Sequence, residues 1–65
     1  MDILNVDYGT KQIVYRYSAK VNREDTYKQR GWCEERFKDY AWRQHGLAFY
    51  FTKKKDLVLF LLRWA

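Results

Sequence analysis

The stretch from Gly46 to Ala65, GLAFYFTKKKDLVLFLLRWA, sets two apolar segments on either side of three consecutive lysines. Whatever this chain folds into must bury much of both segments and leave the lysines in water. Leu47, Phe49 and Phe51 alternate with Ala48, Tyr50 and Thr52. That period of two sends successive side chains to opposite faces of a strand, and aromatics suit such a half-buried surface. Asp56 suits a helix start, because its carboxylate can accept a hydrogen bond from a free N–H of the first turn. Leu57 to Trp64 is apolar on nearly every side, so periodicity admits either a buried helix or a second strand. Leucine propensity, and the lack of Gly or Asn in the Lys-Lys-Lys-Asp connection, favour the helix.

The rest of a 65-residue chain has room for what those segments pack against and little more, so residues 1–65 are expected to form one domain. A domain of that size buries about 60% of the surface its unfolded chain exposes. The absence of proline, the presence of only three glycines and an aromatic content of 20% point to regular elements and large buried rings rather than to a loop-rich or disordered chain.

Ile3 to Tyr8 reads as a first strand, and Asp7-Tyr8-Gly9-Thr10 as a turn in which Gly9 takes positive φ and Asp7 bonds nearby backbone. Ile13, Tyr15, Tyr17, Ala19 and Val21 alternate with Gln12, Val14, Arg16, Ser18 and Lys20, which predicts one continuous second strand and an opening antiparallel hairpin with one wet face. Asn22 is a favoured N-cap, with Glu24 and Asp25 beside the helix start. A long helix is expected from there to His45 and Gly46. Its apolar stripe would be Cys33, Phe37 and Ala41, flanked by Tyr27, Trp32 and Tyr40, with Arg23, Lys28, Arg30, Glu34, Glu35, Lys38 and Asp39 in solvent. Gly31 inside it would mark a kink, a break or a close backbone contact. Gly46 would hold the left-handed position at its end. The expected fold is α+β and two-layer: about three strands against two helices, in the order β-β-α-β-α. The helix between the second and third strands would permit a right-handed parallel crossover.

Catalytic and metal chemistry find little support. Cys33 and His45 are the single cysteine and single histidine, so no intramolecular disulfide and no Cys/His zinc set can form. On one helix they would stand about 18 Å apart, too far for a nucleophile and its base. A lone thiol suits a reducing compartment, and no segment reaches the roughly 18 apolar residues of a membrane span. Neither an enzyme nor a cofactor is expected.

Binding is the better expectation. Thirteen Lys and Arg against eight Asp and Glu give a net charge of +5, which favours an acidic partner, whether nucleic acid, a nucleoprotein assembly or an acidic protein face; it equally serves solubility. Lys53, Lys54 and Lys55, backed by Arg43, Arg63, Arg16 and Lys20, could neutralise phosphates, with Tyr50 as a stacking surface. The same triplet also guards two hydrophobic segments against aggregation. Trp42 with Arg43 and Tyr40 forms a second candidate patch, of the aromatic-plus-arginine kind that anchors protein interfaces.

Phe51, Asp56, Phe60 and Leu62-Arg63-Trp64 resemble the C-terminal signature of small, mostly uncharacterised accessory proteins of tailed bacteriophages: an aromatic strand, a charged turn, an Asp at a helix start, and a helix closing in Phe-x-Leu-Arg-Trp. Leu57 stands where those proteins often carry Ala. The resemblance covers the last part of the chain and transfers no functional residue. It implies a stoichiometric protein of the bacterial host cytoplasm, monomeric or a small homo-oligomer, that binds and inhibits or redirects a host protein or nucleoprotein complex. Direct nucleic-acid binding and a self-assembling virion component are the other two classes.

Overall fold

A computed structural model describes residues 3–38 and 40–64. The expected solvent position of Asp39 lies outside them, as do Met1, Asp2 and Ala65. Among the described residues, five strands and two helices follow one another as β1 (Leu4–Asp7), β2 (Gln12–Tyr15), β3 (Tyr17–Lys20), α1 (Thr26–Arg36), β4 (Trp42–His45), β5 (Ala48–Phe51) and α2 (Lys54–Trp64). The class is α+β, and a three-stranded sheet carries two helices on one face. A separate two-stranded hairpin completes the chain.

That hairpin is β1 antiparallel to β2, with Leu4 opposite Tyr15 and Asp7 opposite Gln12. Its turn behaves as the residues dictate. Gly9 sits at φ 83°, its N–H donates to the Asp7 carboxylate at 3.0 Å, and the Tyr8 N–H donates to the Lys11 carbonyl at 2.7 Å.

The second strand departs from expectation. It breaks at Arg16: β2 pairs with β1, whereas β3 pairs antiparallel with β5 in the other sheet. Alternation survives on both sides of the break, so a period-two pattern cannot register that the chain has changed partners.

The long helix also departs. It starts at Thr26, with Asp25 as its N-cap rather than Asn22, and ends at Arg36, after which Phe37 is extended at φ −117° and ψ 150°. The residues expected to continue it, Trp42 to His45, form β4 instead. There they pair with β5 along a register running from Trp42 opposite Phe51 to His45 opposite Ala48. That register leaves Gly46 and Leu47 as a two-residue loop. Gly46 at φ 62° and no positive φ at Leu47 give the pattern of a type II′ turn, whose twist suits a hairpin. Gly46 does take the left-handed position, but between strands rather than after a helix. Gly31 lies within an unbroken α1 and has open space where a Cβ would stand.

The sheet order is β3-β5-β4. Since β3 and β4 are both antiparallel to β5, they run parallel to each other. The segment carrying α1 therefore connects two parallel strands, but β5 sits between them, so they are not neighbours. Its helix-side face presents Tyr17, Ala19, Trp42, Phe49 and Phe51 to Cys33, Phe37, Trp32, Phe60, Leu57 and Trp64. Phe60 is the meeting point. Its ring stacks on Phe49 at 5.2 Å, lies 5.4 Å from Phe51, and meets Trp32 edge to face at 6.0 Å.

Candidate functional site

α2 forms as a helix because Leu57 to Trp64 favours one, and it begins two residues before Asp56. The Lys53 carbonyl accepts from the N–H groups of Asp56 and Leu57 at 3.2 and 3.3 Å, so Lys54 and Lys55 occupy the first turn. Asp56 is the acidic residue in that turn, where its charge offsets two lysines at the positive end of the helix.

The helix has apolar residues on more sides than the sheet can cover. Phe60 is buried, and Leu57 and Trp64 are half-buried at i, i+3 and i+7. Val58, Leu59, Leu61 and Leu62 remain exposed, Leu62 to 76%. Helical spacing sets Lys54 one turn before Val58 and Lys55 one turn before Leu59. The exposed apolar surface is therefore headed by lysines at one end. At the other, the Arg63 guanidinium lies over the Trp64 ring at 4.3 Å. A contiguous apolar surface with a charged rim is what a protein-binding face offers. The signal for it was present in the sequence, as a helix apolar all round; only the packing reveals which side stays open.

A second cluster joins the hairpin to the sheet. Antiparallel register puts Ser18, Tyr50 and Arg43 in one row, on the face opposite the helices. Arg43 Nη1 donates to the Tyr8 hydroxyl at 3.2 Å, and the Tyr8 and Tyr15 hydroxyls are 2.8 Å apart. The edge of one ring meets the face of the other between Tyr8 and Tyr40, at 4.7 Å, and Lys11 Nζ lies 6.0 Å from the Tyr40 ring centre. Tyr15 is fully buried. Burial, and then its bond to Tyr8, push its phenol well above the usual tyrosine range.

The nine candidate residues are thus dispersed. Tyr40 and Arg43 come together around Tyr8, which ends the expected first strand and enters the turn after it. Trp42 faces the other way, half-buried and stacked on Phe49 at 5.9 Å with planes 13° apart. Strand alternation separates it from its sequence neighbour Arg43. Tyr50 is only 8% exposed, which leaves no open ring for a base. Arg16, at the break between β2 and β3, and Lys20, at the end of β3, are exposed, as are Lys53, Lys54 and Lys55. Tyr27, expected on the flank of a buried stripe, is 88% exposed.

Cys33 and His45 now lie on different elements, the first buried and the second exposed. Burial pushes the Cys33 thiol up to about 12, which keeps it protonated and unreactive at neutral pH. Among the described residues no three His, Cys, Asp or Glu side chains gather into a metal-binding group, and no helix is long and apolar enough to cross a membrane. Comparison with protein-family models, with curated proteins and with solved structures found no match to this chain.

Proposed function

We propose that this chain is a non-enzymatic binding protein that docks the outer face of α2 into an apolar groove with an acidic rim on another protein. The observation that carries the reading is the open apolar surface of Val58, Leu59, Leu61 and Leu62 beneath a head of Lys54 and Lys55. Burying exposed aliphatic side chains supplies about 25 cal/mol per Å². The lysines, with a net charge of +5, steer the chain toward acidic surfaces and away from basic ones. In keeping with the resemblance of the last residues to phage accessory proteins, the target is a host protein or nucleoprotein complex in the bacterial cytoplasm, which the binding inhibits or modulates.

Direct nucleic-acid binding is the competing reading, favoured by Lys53, Lys54 and Lys55 at a helix N-terminus, where ammonium groups and free N–H groups both attract phosphate. Affinity purification of the tagged chain from bacterial lysate, with and without nuclease, separates the two. Nuclease-resistant capture that Leu62→Glu weakens by roughly 30-fold or more, the 2 kcal/mol of an interface hot spot, is the expected result. Capture abolished by nuclease, and by charge reversal of the three lysines but not by Leu62→Glu, would replace the proposal with nucleic-acid binding. Concentration-dependent oligomers of the pure chain, dissolved by the same Leu62→Glu, would replace it with self-assembly.

A further inference from the structure

A cleft of about 140 Å³ opens where the end of β3, the start of α1 and the last turns of α2 converge, lined by Lys20, Asn22, Asp25, Gln29, Leu61 and Trp64 among others. A single water needs only about 10–15 Å³ on the same measure. Two of the lining side chains carry an unanswered polar atom. Gln29 is 5% exposed, and its Oε1 has no hydrogen-bond partner among the described residues; the Trp64 indole Nε1 has none either. An acceptor and a donor that are both shielded from solvent bear the full desolvation cost of lacking partners.

We infer that this cleft binds an amide group, whose carbonyl accepts from Trp64 Nε1–H while its N–H donates to Gln29 Oε1. An amide carries both functions, on one side in a primary amide and on opposite sides in a trans peptide group, and the buried Phe60, which also lines the cleft, offers its apolar substituent a contact. The charged rim argues against the simpler ions. A carboxylate would satisfy Trp64 and approach Lys20, but it offers no donor to Gln29 Oε1 and brings its charge to a cleft that Asp25 also lines. An ammonium would satisfy Gln29 and Asp25 and leave the indole unanswered. A neutral dipolar group leaves neither atom orphaned and suits a rim of one Lys and one Asp. Because both atoms are shielded, binding includes a small turn of the Gln29 and Trp64 side chains toward the cleft. The site shares Leu61 with the outer face of α2, but it does not rest on the docking read there.

The amide can come from an Asn or Gln side chain or from a peptide backbone, so the test uses propionamide for the first and N-methylacetamide for the second. Each is titrated into the ¹⁵N-labelled chain while the Trp64 indole N–H resonance is followed. A saturable downfield shift is expected, with a Kd in the roughly 1–100 mM range appropriate to a ligand of so few atoms. Gln29→Met should weaken it at least tenfold; this variant removes a buried unpartnered group and keeps the volume, so it should fold. Trp64→Phe, followed instead through the backbone N–H of Gln29, should do the same. The tighter of the two amides identifies the source. Absence of a shift up to about 100 mM would overturn the inference and leave ordered water as the occupant. An equal shift with propionate, or one indifferent to Gln29→Met, would overturn it as well.

Discussion

Cys33 shows how much of this small core is made by single buried side chains. It is completely enclosed, against a set of rings in which Phe37 meets Phe51 at 5.6 Å and Trp32 meets Phe37 at 5.6 Å. Enclosure has a pH signature. The ordinary value for a thiol is about 8.5, and burial in the folded chain pushes that of Cys33 up to about 12. Between those values the folded state keeps a proton that the unfolded state has lost. Stability is therefore full below about pH 8.5 and falls toward pH 12, by up to about 1.4 kcal/mol per unit. The buried Tyr15 phenol, also raised, adds a fall of the same sign above its ordinary value of about 10. Urea midpoints measured across this range should decline from about pH 8.5, and Cys33→Ala should delay the onset of the decline. A profile that Cys33→Ala leaves unaltered would show that the thiol is not the group responsible.

Among the elements, two glycines carry opposite predictions. Gly31 lies in the middle of α1 with room for a side chain, so Gly31→Ala should stabilise by about 1 kcal/mol through helix propensity. Gly46 also has room, but its φ of 62° makes Gly46→Ala cost about 1–2 kcal/mol of backbone strain. Thermal melting of the two variants should move Tm in opposite directions; a fall for both would mean that α1 is distorted at Gly31. The same glycines show what was legible. Asp7 and Gly9 mark their turn unambiguously, and Phe49 and Phe51 mark theirs as a core strand. Trp42-Arg43-Gln44-His45 alternates as well as a strand should, and the Gly46 that follows is a hairpin residue. Yet Cys33, Phe37 and Ala41 fall at helical spacing just ahead of it, so the two patterns overlap. The conflict was decided by the ladder that β5 offers to β4, a nonlocal partner invisible to spacing along the chain. Once β4 turned into the sheet, Trp42 and Arg43 parted to opposite faces, and the patch expected from their adjacency could not form.

At the scale of the whole molecule, the described chain has a radius of gyration of 11.3 Å, close to the about 11 Å expected for a compact domain of this length. Its two sheets are nonetheless held to each other differently from the way each is held internally. β5 is locked between two strands under the aromatic core, while among the described residues a single polar bond, from the Arg43 guanidinium to the Tyr8 hydroxyl, reaches from the sheet to the hairpin. Tyr8→Phe removes one hydroxyl that serves both Tyr15 and Arg43, and it leaves the buried Tyr15 hydroxyl without its partner at a cost of about 1–3 kcal/mol. Hydrogen exchange should then speed by roughly tenfold or more at the amides of β1 and β2 and by much less at those of β5. Equal acceleration in both sheets would show that the domain opens as one unit.

Legible along the chain were the local devices: the Gly9 turn, the alternating faces of the strands, the positive φ of Gly46, and a leucine-rich helix ending in Trp64. Each depends on φ preference, hydrogen bonding or side-chain spacing within a few residues. Tertiary structure alone decided which strand β3 would pair with, where α1 would stop, that Tyr50 would be covered, and that Val58, Leu59, Leu61 and Leu62 would stay in water. Those outcomes are settled by competition among distant partners for a core too small to enclose every apolar residue of the chain.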